Sequence, residues 1–413
     1  MCNKKYIWIF TLAISFLIII SMDNATEAKA KTIEKPTYQL SPSSKPIDST
    51  FLKLSTYNSQ TKNYYMLRSY LEKLEKTKGG KLILNKGTYI ISNVLYVPSN
   101  VTIQLEDGAK IVKGKSTGSS KIKPSKSIFQ FIRPSKSKEE NVYGKYEGEK
   151  NIKIIGKGNA TIDLQFDLKS IGIIIGHNQN IVIDNIQFKN MNGGHFIELD
   201  ASNNVTIKNS SFKFSKHLKG HDKEGINIDT PDHSTEGWSE AWSKFDKQPN
   251  NNVLIADNTF KELDRAVGTH KYSGGKLHNN VTIRHNKIQN MRSDAIRVMN
   301  WSNTIIEHNS ISDVGNGKNN LRGILISGAK NPTIQYNDFN NVARAMQFIV
   351  WKNNGPGSQY KAIYNTLSDK NKKALKTNTV KNTIENFIRI TNKSFGNYSN
   401  AEKIYLHVQN PPL

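Results

Sequence analysis

Asp200, Asp229 and His270 each close a short apolar alternation at the same offset, and their side chains suit acid–base chemistry. Three further segments fall into the same frame. The set is His195-Phe-Ile-Glu-Leu-Asp200, Glu224-Gly-Ile-Asn-Ile-Asp229, Arg265-Ala-Val-Gly-Thr-His270, Asp294-Ala-Ile-Arg-Val-Met299, Arg322-Gly-Ile-Leu-Ile-Ser327 and Arg344-Ala-Met-Gln-Phe-Ile349. Positions three and five are mostly apolar, so in an extended strand they face a core while positions four and six face out. The sixth column then reads Asp200, Asp229, His270, and the fourth supplies Glu198, Asn227 and Arg297. Stacked carboxylates repel, which raises a pKa or recruits a cation. With an imidazole beside them they form a set able to move protons at a glycosidic bond. Lys271, Tyr272, Trp301 and Trp351 lie just past the row, where aromatic faces would rim a cleft. The first column (His195, Glu224, Arg265, Asp294, Arg322, Arg344) mixes opposite charges and reads as a corner of ion pairs, with Glu224 also open to a binding role.

A second concentration lies in a long insertion, residues 213–251, around Glu224 to Asp229. It carries His217, His221, Asp222, Asp232, His233, Glu236, Trp238, Trp242 and Asp246. Long loops beside one strand commonly form a functional wall. His233, Trp238 and Trp242 are therefore expected to bind substrate, with indoles stacked on sugar rings. The His/Asp spacing follows no regular metal pattern, so no dedicated metal site is expected.

Such a row needs strands held in strict parallel register, and the sequence supplies a repeat that does this. Asn100, Asn151, Asn180, Asn204, Asn252, Asn280, Asn303 and Asn331 each open an Asn-Val-Thr-Ile-like alternation. Asn185, Asn209, Asn258, Asn286, Asn309 and Asn337 follow a few residues later, each with an apolar residue such as Phe188, Phe212 or Phe260 shortly after. One repeat has room for three short strands and three turns. It cannot bury its apolar face alone, but stacked repeats make a continuous core. Asparagine tolerates the left-handed corner and can pass amide hydrogen bonds from coil to coil, so these residues are read as structural.

Upstream, residues 59–76 carry a helical apolar pattern (Tyr65, Leu67, Tyr70, Leu71, Leu74). A Gly79-Gly80 break follows, then Lys81-Leu-Ile-Leu-Asn-Lys-Gly-Thr-Tyr and Val97-Pro-Ser-Asn-Val-Thr-Ile. This arrangement resembles the N-terminal part of the pectin-lyase-like superfamily. The resemblance, with the repeats, covers residues 55–355 and implies an all-β, single-stranded right-handed parallel β-helix with a capping helix. Residues 356–413 read as a C-terminal cap, and 31–54 as an N-terminal linker.

The resemblance also implies action on polysaccharide. The order carboxylate, carboxylate, His, Arg is similar to that of polygalacturonase-type glycosidases. Carried over, it makes Asp229 and Asp200 the acid/base pair, His270 an orienting partner and Arg297 a clamp on a substrate carboxylate. The family's adjacent Asp pair is absent, Asp264-Arg265 standing nearest to it, as are its Gly-His-Gly and Arg-x-Lys motifs. The expected activity is a glycoside hydrolase on an acidic polysaccharide, with no cofactor. A β-eliminating lyase is the alternative, with His270 or Lys271 as base, Tyr272 as proton donor, and Arg297 or a Ca²⁺ on Glu198, Asp200 and Asp229 as neutraliser. A non-catalytic glycan-binding surface protein is a third reading.

Bulk properties frame these choices. Residues 1–30 have the form of a cleavable secretory signal: Lys4 and Lys5, an apolar run from Ile7 to Ile20, then Ala28-Lys29-Ala30. A secreted chain with no membrane contact after cleavage is expected, as a monomer. The single cysteine, Cys2, lies in that leader, so burial and hydrogen bonds must hold the rest. The formal charge of +24 favours an anionic partner. No nucleic-acid motif is present, and the lysines are spread along the whole chain.

Overall fold

The computed structural model describes residues 35–413 apart from 219, 221, 316–319, 353–359, 362, 392–400 and 410–413. The expected leader, His221 and the Gly355 boundary lie outside the described residues. The described chain is mostly β. Three sheets of 11 strands each are assembled almost wholly from parallel pairs, and successive strands of one sheet come from successive coils. This is a parallel β-helix. Its interior is one apolar column running from Leu40 to Leu406.

Each sheet is built by the periodicity of two. In the first, Ile181, Val205, Val253 and Val281 stack in register, as do Ile183, Ile207, Ile255 and Ile283, and all are buried. In the second, Phe188, Phe212 and Phe260 pair coil to coil, with ring centroids 4.9 and 4.8 Å apart and nearly parallel planes. That spacing is the strand repeat itself.

The asparagines act as two distinct devices. Asn100, Asn151, Asn180, Asn204, Asn252, Asn280, Asn303 and Asn331 all have φ between 51 and 62°. Their exposed amides pass hydrogen bonds along the corner, for example Asn180 Nδ2 to Asn151 Oδ1 at 3.0 Å and Asn204 Nδ2 to Asn180 Oδ1 at 2.8 Å. The second set is buried. Asn258, Asn286, Asn309 and Asn337 each donate backbone and side-chain N–H to the carboxamide of the next, and Asn378 receives the last pair. Here the left-handed residue is the preceding one, as at Asp257, His285, His308 and Tyr336.

Both ends depart from the sequence reading in extent. The helix runs Lys62–Lys76 and buries Tyr65, Leu67, Leu71 and Leu74 over the first coils. The segment read as a linker carries Thr37–Leu40, which pairs in parallel with Gly80–Leu84 and opens the first sheet. In the tail, Thr379–Lys381 and Phe387–Ile390 add a further partial coil on the same register. Glu402–Tyr405 then pairs antiparallel with Phe387–Ile390 and closes the third sheet. Reversing direction ends the parallel template and covers an edge that would otherwise recruit another strand. Among the described residues no helix is long and apolar enough to cross a membrane.

Candidate functional site

The third sheet reproduces the alignment made from sequence as far as Gly268; the strand Arg265–Gly268 ends there, and His270 meets the row from the segment after it, its N–H 3.2 Å from Asp229 Oδ1. Glu198 pairs with Asn227 and Asp200 with Asp229; Asn227 pairs with Gly268, and Gly268 with Arg297. Parity is as expected: Ile197, Leu199, Ile226, Ile228, Val267, Ile296 and Val298 enter the core, while Glu198, Asp200, Asn227 and Asp229 leave it. Leaving the core does not bring them to solvent. Asp200, Asn227 and Asp229 are fully buried, and Glu198 retains 8% exposure.

Two loops lie over that face. Trp238 and Trp242, from the long insertion, pack edge to face with centroids 5.2 Å apart. With Ile132, Tyr143 and Ile174 they form a second apolar cluster outside the helix. Trp242 Nε1 donates to Gln130 Oε1 at 3.1 Å. Gly176 shows how closely the indoles approach, since a Cβ there would sit 2.5 Å from Trp238 and 2.9 Å from Trp242. A second loop, residues 133–149, meets the insertion, where Val142 N–H donates to the Trp242 carbonyl at 2.8 Å. Buried Glu149 anchors this loop through Arg133 Nε at 2.7 Å and through Tyr143 and Ser99. Nothing in the sequence reading pointed to Arg133 or Glu149, because their pairing depends on how two distant loops dock.

The expected sugar-stacking surface is therefore not present as drawn. Trp238 and Trp242 are 5% and 2% exposed, and their faces are spent on protein. In the aromatic column, Trp301 is fully buried and donates Nε1–H to Thr269 Oγ1 at 2.8 Å. Tyr272 is buried against Tyr360. Trp351 alone of the three is partly exposed, and it carries the Arg297 guanidinium 5.2 Å from its ring centre. His233 is exposed but stacks on Phe245 at 3.6 Å within the loop. Lys271 meets the row through its backbone, with N–H 3.3 Å from Asp229 Oδ1.

Electrostatics follow burial. Glu198 is pushed up to about 8 by burial and by the neighbouring Asp229 and Glu240. Asp200 is held well above the carboxylate range by burial and by Glu198 and Asp229, and neither of its oxygens has a hydrogen-bond partner. Burial also raises Asp229, although His270 opposes it and Asn227 Nδ2 donates to Oδ2 at 3.1 Å. Burial would raise Glu224 as well. There His270 and Arg265 prevail and hold it well below the usual range, with Arg265 Nη1 at 2.6 Å from Oε1. Burial and then Lys223 push His195 down to about 3. Burial, followed by Arg265, lowers Arg297 to about 10.

The corner ladder is real in part: Glu224–Arg265 at 2.6 Å and Asp294–Arg322 at 3.0 Å pair as read, while Arg344 turns to Glu385 at 3.1 Å. Its upper end takes part in the site. His270 Nδ1 lies 3.1 Å from Asn227 Oδ1, 3.3 Å from Glu224 Oε2 and 3.4 Å from Asp229 Oδ2. His195 stacks on His270 with centroids 5.7 Å apart, and its Nδ1 is 2.8 Å from the Glu224 carbonyl oxygen. The solvent-facing remainder is a pocket of about 430 Å³ lined by His195, Glu198, Lys223, Glu236, Trp238 and His270. His195 was read only as a corner residue, since its place beside His270 depends on a coil-to-coil stack that a linear pattern does not display. Among the described residues, histidines and carboxylates converge closely enough to share an ion in two places. These are His195–Glu224–His270 and the more exposed His217–Asp222–Asp264. The trio Glu198, Asp200 and Asp229, a Ca²⁺ site only under the lyase alternative, is not one of them.

Comparison with known proteins completes the picture. A family model described as "Right handed beta helix region" matches residues 243–404. The chain is a right-handed parallel β-helix. It is 26% identical over 253 residues to the curated "Plasmin and fibronectin-binding protein A" of Streptococcus pneumoniae. The match takes in 56% of this chain and 34% of that protein, so the chain spans about a third of the relative's length. Two solved structures of PfbA, a surface adhesin of Streptococcus pneumoniae, share the fold. Each covers 90% of this chain, at 16% and 18% identity and TM-scores of 0.54 and 0.56, with 90% and 100% of the adhesin chains covered. These findings overturn the expectation of a glycoside hydrolase or lyase. The relative is named as a binding protein, and in this chain Asp200 and Asp229 have no exposed surface.

Proposed function

We propose that this chain is an extracellular, non-catalytic binding protein that uses the side of its β-helix to hold an acidic macromolecule. The partner is a protein of the kind its curated relative is named for, plasmin or fibronectin. The observation that carries the reading is the burial of the acid row. Asp200 and Asp229 have no exposed surface, so no glycosidic oxygen can come within hydrogen-bonding reach, as general acid–base chemistry requires.

A charged surface supports the binding half of the proposal. On the second sheet Lys189, Lys213 and Lys261 stand in direct register on consecutive coils. Like charges opposed at strand spacing destabilise a sheet. Among the described residues, Lys189 meets Asp163 at 3.9 Å and Lys261 meets Glu262 at 3.4 Å. A stripe of this kind, in a chain with 58 basic and 34 acidic residues, favours an anionic surface and speeds encounter with it. An acidic polysaccharide would meet the same stripe and forms the second arm of the test.

The test incubates the chain with a panel of acidic polysaccharides, following new reducing ends and unsaturated uronate, while binding to immobilised plasmin and fibronectin is measured in parallel. The proposal expects binding without either product. Turnover of any polysaccharide in the panel would overturn it.

A further inference from the structure

The geometry points to a divalent-metal site of the zinc class formed by His195, Glu224 and His270, a single ion that pins three successive coils together. One nitrogen of each imidazole and a carboxylate oxygen of Glu224 all lie within 4.8 Å of one another. A tetrahedral ion bound at about 2.0–2.1 Å needs ligand atoms roughly 3.3 Å apart. Glu224 Oε2 is already 3.3 Å from His270 Nδ1; that nitrogen also meets Asn227 Oδ1 at 3.1 Å, so ion binding requires it to give up its proton and exchange the amide oxygen for the metal.

The carboxylate is presented as a ligand would be. Arg265 occupies Oε1 at 2.6 Å, while Oε2 is buried, makes no hydrogen bond and faces both imidazoles. A buried carboxylate oxygen left in that state costs free energy unless a cation completes it. His195 is oriented in the same sense. Its Nδ1 donates to the Glu224 backbone carbonyl at 2.8 Å, which leaves Nε2 as the lone-pair nitrogen. Histidines that bind metals are typically fixed in this way, with the second nitrogen held by a carbonyl or carboxylate. The outer shell is thus already built by Arg265 and the Glu224 backbone.

The donor set chooses the ion. Two imidazoles and one carboxylate suit zinc, or the neighbouring divalent transition metals, whereas Ca²⁺ takes six to eight oxygens. Access is through the pocket lined by His195, Glu198 and His270, which leaves the remaining coordination position open to solvent. The ion would join the strand ends of three coils in a chain whose single cysteine, Cys2, leaves no disulfide to do so. This inference is independent of what the protein binds on its outer surface, so the two fail separately.

The test strips the full chain with chelator and titrates it with Zn²⁺, Co²⁺ or Ca²⁺, by calorimetry and by the visible spectrum of Co²⁺. The expected result is one Zn²⁺ per chain, a Co²⁺ spectrum of nitrogen-ligated four-coordinate type, and a rise in Tm on Zn²⁺ binding. Glu224→Gln or His270→Ala should lower Zn²⁺ affinity more than about 100-fold, since loss of an outer-shell partner alone costs 10–100-fold. His217→Ala, at the other cluster, should leave it unchanged. Absence of a stoichiometric ion, Ca²⁺ bound as tightly as Zn²⁺, or binding that follows His217 rather than His270 would each overturn the assignment. The Co²⁺ spectrum is read on the unaltered chain, so it decides the matter whether or not a variant folds.

Discussion

Replacing Glu198 with glutamine should stabilise the protein near neutral pH and leave it unchanged in acid. Burial beneath the loops, with Asp229 and Glu240 nearby, moves this carboxyl from 4.5 to about 8. A carboxyl whose folded pKa is raised keeps its proton in the folded state while the unfolded chain releases it. Unfolding then gains free energy as pH rises, so stability is whole below the unfolded pKa and is lost between about 4.5 and 8. At pH 7 the unfolded side chain lies some 2.5 units above its pKa and the folded one remains protonated, a penalty of about 3 kcal/mol. Glutamine has nearly the shape of the protonated acid and carries no such penalty. For roughly 380 ordered residues the entropy of unfolding is on the order of 0.8 kcal/mol/K, so the Tm difference should approach about 4 °C. Differential scanning calorimetry of both proteins from pH 4 to pH 8 measures it. A variant-minus-native Tm near zero at pH 4 and rising through the window is expected. A flat difference would mean that Glu198 is solvated in the folded state through the pocket it lines, and the account of its burial would be wrong.

Other perturbations probe the parts that seal and align the face. Trp242→Ala removes an indole that is 2% exposed, and should cost about 3–5 kcal/mol in urea unfolding and open residues 230–249 to limited proteolysis. Arg265→Met leaves Glu224 buried without its 2.6 Å partner and should destabilise by about 3–5 kcal/mol. Adding Glu224→Gln should recover much of that loss in a double-mutant cycle, and strict additivity would show that the two residues do not interact. Asn309→Ala breaks one rung of the buried amide ladder and strands the Asn286 donors, at about 1–3 kcal/mol. Hydrogen exchange should quicken first at Asn286 and its neighbours.

The sequence made the register legible because parity is set by residues whose burial it also displays. Ile226 and Ile228 can only face the core, so Asn227 and Asp229 must leave it, and one slip would invert both. The same logic placed Asp200 opposite Asp229. What lay above the row was not legible. Whether Trp238 and Trp242 line a cleft or plug one depends on where a loop of the insertion docks. That in turn depends on Gly176 leaving room for the indoles and on the 133–149 loop meeting them. A tryptophan reads the same in sequence whether its face meets a sugar or Ile174. The last partial coil was visible in principle: Asn378-Thr-Val380 repeats the spacing of Asn337-Asp-Phe339, and Asn378 closes the buried ladder. The charge column was half legible. Glu224 and Arg265 pair as its alternation implies, but Arg344 finds Glu385, 41 residues on and just before the strand Phe387–Ile390.

The central claim, that the molecule works by binding through the lysine stripe of its second sheet, meets its most direct test in surface plasmon resonance. Native chain and Lys213→Glu are passed over immobilised plasmin and fibronectin at low and high salt. Lys213 stands in register between Lys189 and Lys261, so reversing its charge breaks the stripe without touching the core. The account predicts saturable binding by the native chain that weakens with salt, and a marked loss of association rate in the variant. Binding equal in both chains and indifferent to salt, or no binding by the native chain, would contradict it.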